Sequence, residues 1–390
     1  MSLVAQYRTG TQRLVCPERT LRRISPHLEA IGITRCADVT RLDTDMGVPT
    51  YCAIRPGARW LQVSNGKGIS VAAAKASALM EAIEVHHAES PAEERLCRAS
   101  RNEMIDAGRR ILEPMRADGF RAGFYTHDFR IQWTMAEAIP GGESVWVPAA
   151  AVYLCDDPTV HSITTNGLAS GNHPVEASLH ALYELLERDV LAGIVENGRL
   201  KIAERCQAID TTTVDNTTLA EILDKIQTAD NRLILMYLPS QIPVHTFWAV
   251  LLNHDSSCAV TSLNIGLGTH ANLEVAAARA VTESVQSRLT AVQGAREDII
   301  NKPVYGRSGV RSSRAYQYFR DLKCTTNWLD LLARARQPSD DLKQEFDWLV
   351  AELHRCGHGP VLRCDLTRRE FGIPVVKLIV PSLRLNRRLV

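Results

Sequence analysis

Three times along the chain a glycine-containing stretch runs into a long helical segment that is polar along one stripe, and this pattern constrains the fold more than any other feature. The first is Asn65-Gly66-Lys67-Gly68-Ile69-Ser70, followed by Ser77, Glu81 and Glu84. The second, Asn166-Gly167-Leu168-Ala169-Ser170-Gly171-Asn172, leads to Glu176, Glu184, Glu187 and Arg188. The third, Gly266-Leu267-Gly268-Thr269-His270-Ala271, leads to Arg279, Glu283 and Gln286. Spacings of four and seven residues place Ser77, Glu81 and Glu84 on one helix face, and likewise Arg279, Glu283 and Gln286. Each glycine stretch is expected to be a loop at a helix N-terminus.

The segments around these repeats mix helix and strand without regular alternation, which predicts an α+β fold rather than a doubly wound parallel sheet. Helices are predicted over 17–31, 71–88 after the N-cap Ser70, 174–192 with Pro174 in the first turn, 217–229, 272–290 and 339–356. Strands are predicted at 49–55, 60–64, 360–365 and from 373, with a hairpin over 131–154 broken by Pro140, Gly141 and Gly142. The runs starting at 233, 245 and 259 also read as strands. No linker or low-complexity tract divides the chain. It is read as a single domain, 1–390, with an N-terminal region to about 65, a core over 66–300 and a C-terminal region over 301–390.

Composition narrows the function classes. With 45 basic and 44 acidic residues and 45% hydrophobic residues in 390, the chain is globular and has no net field to collect nucleic acid or anionic lipid. The N-terminus lacks a signal-peptide layout and no apolar run approaches the roughly 18 residues of a membrane span, so the expected location is the cytoplasm. Ten cysteines without a CxxC pair are read as reduced core thiols. His354, Cys356, His358 and Cys364 match no zinc spacing, and Gly357 reads as a helix stop.

Solvated helix faces would explain a polar stripe, and Glu184 with Arg188 is an ordinary i,i+4 pair. The first helix resists that explanation. Glu81 and Glu84 sit among Ala, Leu, Met and Ile with no basic residue four positions away, and like charges so close cost a few tenths of a kcal/mol. A cation would remove that cost. Mg²⁺ takes oxygen ligands and keeps phosphates and waters beside one or two carboxylates. Backbone N–H groups at helix N-termini suit phosphate, with Lys67 or Arg188 to neutralise the remaining charge. No GxxxxGK[ST] is present, and Gly266, Gly268 and Ala271 lack the acidic residue that would complete a dinucleotide fingerprint.

These motifs resemble the YcaO family. The resemblance runs from Gly10-Thr11-Gln12-Arg13 and Gly32-Ile33-Thr34-Arg35 through the three motifs above to Asp365-Leu366-Thr367 and Gly372-Ile373-Pro374-Val375. It implies an ATP-binding fold unrelated to kinases, with long helices on mainly antiparallel sheets and ATP and Mg²⁺ among acidic helices. It also implies activation of a peptide backbone amide: a nucleophile adds to the carbonyl carbon, and the resulting oxygen takes a phosphoryl group from ATP and leaves as phosphate. A neighbouring Cys, Ser or Thr nucleophile gives an azoline, and a sulfide equivalent gives a thioamide. By the same resemblance Glu81, Glu84, Glu176, Glu184, Glu187 and Glu283 hold Mg²⁺. Lys67, Arg188 and Arg279 meet phosphate charge, and Ser77, Asn172 and Gln286 orient the nucleotide by hydrogen bonds. No catalytic residue is assigned.

The Gly10 to Arg13 stretch, Gly32 to Arg35 and Leu42-Asp43 resemble the TfuA-associated branch, although Gln12 stands where His is expected and Gly47-Val48-Pro49 where Gly-Ile-Pro is expected. The ending, Pro381 to Val390, has one proline where many azoline-forming members have a proline-rich tail. Thioamide formation with a TfuA-like partner is therefore the leading expectation and azoline formation the alternative. A precursor peptide or protein, captured with a separate leader-peptide-binding protein, is the expected substrate, and a homodimer the expected assembly. Two other classes stay open: an ATP-binding accessory protein that catalyses nothing, and a plain α+β protein that binds no nucleotide.

Overall fold

In unit 2 of the chain, small residues let long helices lie directly against strands. The computed structural model describes residues 2–385 apart from 90, 92–94, 122, 124, 155–159, 254–260 and 297–309, with 310–313 described by backbone alone. The chain forms two compact units: unit 1 is Met1–Val4, Ile83–Ala192 and Ser339–Val390, and unit 2 is Ala5–Ala82 and Gly193–Pro338. The division falls inside the first long helix, Val71–Glu89.

Among the described residues unit 2 holds two main sheets, beside the two-stranded pair Val195–Glu196 and Arg199–Leu200. One is a three-stranded antiparallel sheet of Arg35–Asp38, Thr50–Ile54 and Val63–Lys67. The other has five strands in the order Leu263–His270, His245–Asn253, Asn231–Leu238, Gln207–Asp210, Thr326–Asn327, antiparallel except for its last pair. The helix Leu273–Gln293 lies across the first two of these strands. Phe247, Ala249 and Leu251 alternate along the strand, as the period of two requires, and share a core with Ala276, Ala277, Ala280, Val281 and Val285 of the helix. Trp248 belongs to the other face and meets Phe319 edge to face at 5.9 Å. The strand His245–Asn253 is therefore covered on both sides and reads as a continuous apolar run.

Unit 1 is built on an antiparallel sheet in the order Cys97–Ala99, Ile131–Ile139, Val361–Asp365, Val375–Ile379, Leu168–Ser170, with Ser144–Pro148 closing the predicted hairpin onto Ile131–Ile139. The helix Pro174–Gly193 follows the last strand in that order. The α+β class and the antiparallel sheets agree with the sequence reading.

Two of the three glycine stretches correct it. Asn65, Gly66 and Lys67 are in a strand, and so are Gly266 and Gly268. Their glycines serve close packing rather than a loop. A Cβ on Gly66 would stand 2.0 Å from the Ala78 nitrogen and 2.5 Å from the Ala74 carbonyl oxygen. One on Gly266 would stand 2.2 Å from the Ser284 nitrogen, and one on Gly268 would stand 2.2 Å from the Ala276 oxygen. Only glycine lets the helix that follows each strand fold back and touch it backbone to backbone. The second stretch does turn: Gly167 has φ +78°, in the region glycine favours.

Other boundaries shift for local reasons. The helix expected over 17–31 is broken into Pro17–Ile24, a 3₁₀ turn Ser25–His27 and Leu28–Ile31, with Pro26 at the break. The strand expected at 60–64 lies at Val63–Lys67. Ser70 caps the first long helix, its Oγ accepting from the Ala73 N–H at 3.2 Å. The helix Leu342–Arg355 ends before Gly357, φ +82°, as a helix stop would. Of the expected core thiols, Cys52 and Cys364 are buried, Cys324 is exposed, and Cys16, Cys36, Cys97, Cys206 and Cys356 are half-buried. Cys155, Cys258, the start of the run at 259 and residues 386–390 of the ending lie outside the described residues.

Gly266→Ala is expected to lower unfolding stability by about 1–3 kcal/mol or more, because the added methyl meets helix backbone rather than a movable side chain. Gly57→Ala, where a Cβ meets nothing within 4 Å, is expected to change it by less than about 0.5 kcal/mol. Urea titration of both variants checks the pair, and equal losses would contradict the packing role.

Candidate functional site

The expected ligands fall into two groups, one in each unit. In unit 2, Gly266 and Gly268 bring the long helix onto the edge strand beside Glu283 and Arg279: a Cβ on Gly266 would stand 2.7 Å from the Glu283 carbonyl carbon, and one on Gly268 would stand 2.8 Å from the Arg279 Cβ. Leu267 stands between them. As an edge residue it has an N–H to spare, which donates to Glu283 Oε1 at 3.3 Å. Glu283 Oε2 accepts from Lys67 Nζ at 2.5 Å, so Lys67 is a strand residue paired with a carboxylate. Gln286 Nε2 donates to the Asn65 carbonyl at 3.1 Å, and Asn65 Nδ2 donates to Thr290 Oγ1 at 2.9 Å. The Asn65 side-chain oxygen is buried with no partner among the described residues. On the first helix Ser77 is exposed and Glu81 half-buried, with Glu81 Oε1 3.5 Å from Arg296. Arg296 is a partner that sequence spacing could not reveal, being remote along the chain.

In unit 1, Glu84 accepts two hydrogen bonds at Oε1 from Ser170, 2.8 Å from the backbone N–H and 2.6 Å from Oγ. Asn172 follows at the helix start and donates to Glu176 Oε1 from its backbone N–H at 3.0 Å and its side chain at 3.2 Å. Glu176 is 3% exposed and Glu187 4%. Arg188 lies 3.8 Å from Glu187. Unit 1 also holds a residue absent from the sequence-level set: Lys377, whose ammonium burial pushes down to about 8 against the pull of Glu184, Asp118 and Cys364 toward the charged form. A lysine inside the run Ile373-Pro-Val-Val-Lys-Leu-Ile-Val was the available signal.

Unit 2 also gathers cations where the edge strand ends. His245 and His270 face each other in register. The Asn272 N–H donates to His270 Nδ1 at 2.9 Å. Burial holds the His270 ring well below its ordinary range, and Arg279, Arg13, His245 and Arg336 push the same way. Burial, then Arg336, takes His245 down to about 4. Arg13, from the Gly10 to Arg13 motif, thus shares a neighbourhood with Arg279.

The comparisons with known proteins decide the family. The YcaO cyclodehydratase profile, described as ATP- and Mg²⁺-binding, matches residues 65–384. The chain belongs to the YcaO family. ATP and Mg²⁺ are accordingly the cofactors. An uncharacterised protein of Methanothermobacter thermautotrophicus is 33% identical over 95% of this chain and 94% of its own. An uncharacterised protein in the tfuA 3′ region of Rhizobium leguminosarum bv. trifolii is 36% identical over 96% and 89%. The fold matches that of the YcaO protein of Methanopyrus kandleri bound with AMPPCP and Mg²⁺, with TM-score 0.79, 24% identity and coverage of 98% and 94%. A heterocyclase in complex with substrate and cofactor gives TM-score 0.79 and 22% identity over 99% of this chain and 54% of that one.

The side chains of this YcaO protein fit those cofactors. The expected metal ligands are all carboxylates, which suits a hard cation. Among the described residues no three His, Cys, Asp or Glu side chains converge to hold a metal by themselves. The buried Asn65 oxygen has acceptor capacity left for a ligand or water. No helix among the described residues is long and apolar enough to cross a membrane.

Because His245 and His270 stay neutral in the fold while the unfolded chain takes up protons near pH 6.5, their contribution to stability is full above 6.5. It is lost as pH falls toward 4, about 3 kcal/mol for His245. Urea midpoints measured from pH 7.5 to 4.5 are expected to fall less steeply in His245→Asn than in wild type. Identical slopes would contradict it.

Proposed function

We propose that this YcaO protein is an ATP-dependent enzyme that activates a backbone amide of a ribosomally made peptide or protein by O-phosphorylation, forming a thioamide with a TfuA-like partner. The observation that carries the partner is the relative in the tfuA 3′ region, which matches almost the whole chain. In unit 2, Glu81 and Glu283 serve as metal carboxylates, Lys67 and Arg279 as phosphate cations, and Ser77 and Gln286 as orienting groups. In unit 1, Glu84, Glu176, Glu184 and Glu187 are the metal carboxylates, Arg188 the cation and Asn172 the orienting group. When bound with Mg²⁺, ATP supplies the phosphoryl group that makes the amide oxygen a leaving group.

The ion pairs support these roles. Lys67 holds Glu283 toward the Leu267 N–H, and Ser170 holds Glu84 by two hydrogen bonds, so both carboxylates are oriented before any metal arrives. Azoline formation is the second reading, favoured by the cyclodehydratase description of the family and the likeness to a heterocyclase. Substrate capture through a separate leader-binding protein and a homodimeric, cytoplasmic enzyme complete the proposal.

Glu81→Gln and Glu84→Gln are each expected to abolish Mg²⁺-dependent ATP binding while leaving the circular dichroism spectrum intact, since an amide oxygen at 84 still accepts from Ser170. Binding that persists removes these residues from the site. Incubation with ATP, Mg²⁺, a candidate precursor and the TfuA-like protein is expected to add about 16 Da to the peptide only when sulfide is present; a loss of about 18 Da without sulfide selects the azoline reading. Peptide-stimulated ATP hydrolysis separates an enzyme from an accessory protein.

A further inference from the structure

Two strand–helix modules of unit 2 are built alike. A Cβ on Gly66 would stand 2.0 Å from the Ala78 nitrogen and 2.5 Å from the Ala74 oxygen, and one on Gly268 would stand 2.6 Å from the Ala280 nitrogen and 2.2 Å from the Ala276 oxygen. Gly66 against Ala78 is thus the counterpart of Gly268 against Ala280. Three residues beyond each alanine the helix carries a carboxylate, Glu81 in one module and Glu283 in the other. The two carboxylates therefore occupy equivalent places, about one turn past the point where helix backbone meets strand.

Each is met by a cation from the other module. Lys67, on the strand that leads toward the helix of Glu81, reaches Glu283 at 2.5 Å. Arg296, just past the helix of Glu283, lies 3.5 Å from Glu81. Local structure explains the second reach. The helix Leu273–Gln293 is ended by Gly294 at φ +62°, whose N–H donates to the Thr290 carbonyl, and this left-handed turn takes the chain off the helix axis two residues before Arg296. A Cβ on Gly294 would meet nothing within 4 Å, so the turn rather than packing calls for glycine there.

Exposure indicates what the crossed pairs are for. The four side chains are between 17% and 32% exposed. At that exposure solvent screens the pairs and neither contributes much to stability, while a ligand can still reach the carboxylates. A metal that comes alone has to displace a cation and leave it beside a dication. A metal that comes with phosphates brings anions that take the displaced cation up.

We propose that Arg296 is a stand-in cation: it neutralises Glu81 until a metal arrives and then passes to nucleotide phosphate, as Lys67 does at Glu283. This rests on the reading of Glu81 as a metal carboxylate of the nucleotide site. Metal and nucleotide then each bind better in the presence of the other, and Arg296 carries part of that coupling. An ion pair that only braced the fold would, when broken, leave both ligands unaffected or weaken both.

The test uses the full-length protein, with Mn²⁺ alone as one probe, read by electron spin resonance, and AMPPCP at saturating Mg²⁺ as the other, read by calorimetry. In Arg296→Met the expected result is Mn²⁺ binding tighter by about threefold and AMPPCP binding weaker by about threefold, the scale of a partly screened ion pair. Arg296→Gln, a polar replacement, is expected to shift both probes in the same directions, and Arg296→Lys, which keeps the charge, to behave as wild type. In a Glu81→Gln background, Arg296→Met should no longer tighten Mn²⁺. Met and Gln variants that weaken both probes, leave both unchanged or move only one overturn the inference while the nucleotide reading stands. Wild type that binds neither Mn²⁺ nor AMPPCP overturns the nucleotide reading and the inference with it.

Discussion

Backbone contact between strand and helix is the constraint on which the candidate site depends. At Gly66, Gly266 and Gly268 there is no room for a single methyl group, because the nearest atoms belong to the helix backbone. Small residues answer from the helix side: Ala74 and Ala78 in one case, Ala276, Ala280 and Ser284 in the other. Such close approach forfeits the bulky side chains that usually stabilise a helix on a sheet, and the core is completed around it by Phe247, Leu251, Val281, Val285 and Leu289. What the arrangement yields is precision. A helix seated on backbone cannot slide, so Arg279 and Glu283 are held at defined heights above the strand.

That precision makes the electrostatics possible. Glu283 receives both a lysine and an edge N–H, and Glu84 receives two hydrogen bonds from one serine. Each bond removes rotamer freedom from a carboxylate before a ligand binds, so a metal would meet groups already oriented. The price of gathering charge is visible nearby, where His270 and His245 are held neutral by burial and by surrounding arginines. In unit 1 a charged group is buried inside a sheet, where Lys377 donates to the Thr164 carbonyl.

Much of this was legible before any coordinates. The N-cap Ser70 and the first-turn Pro174 marked the helices Val71–Glu89 and Pro174–Gly193, Leu273–Gln293 was expected over 272–290, and the polar stripe on the first stood out because Glu81 and Glu84 have no basic residue four positions away. The glycines misled. Asn-Gly and Gly-x-Gly are strong turn signals, and nothing local distinguishes a glycine that turns, such as Gly167, from one that admits a helix, such as Gly266. The break at Pro26 was written in the sequence, yet 17–31 was read as one helix.

Sequence by itself determined the elements, the α+β class, the three polar stripes and the family resemblance, because helical period and motif order are properties of neighbours along the chain. Tertiary structure alone decided the partners: Lys67 with Glu283, Arg296 with Glu81, and Ser170 with Glu84. Each joins residues far apart in sequence, and strand order and helix packing, rather than any local preference, bring such residues within a few ångströms. The same holds for the glycines, whose function is set by the atoms that arrive from elsewhere to fill the space where a side chain would be.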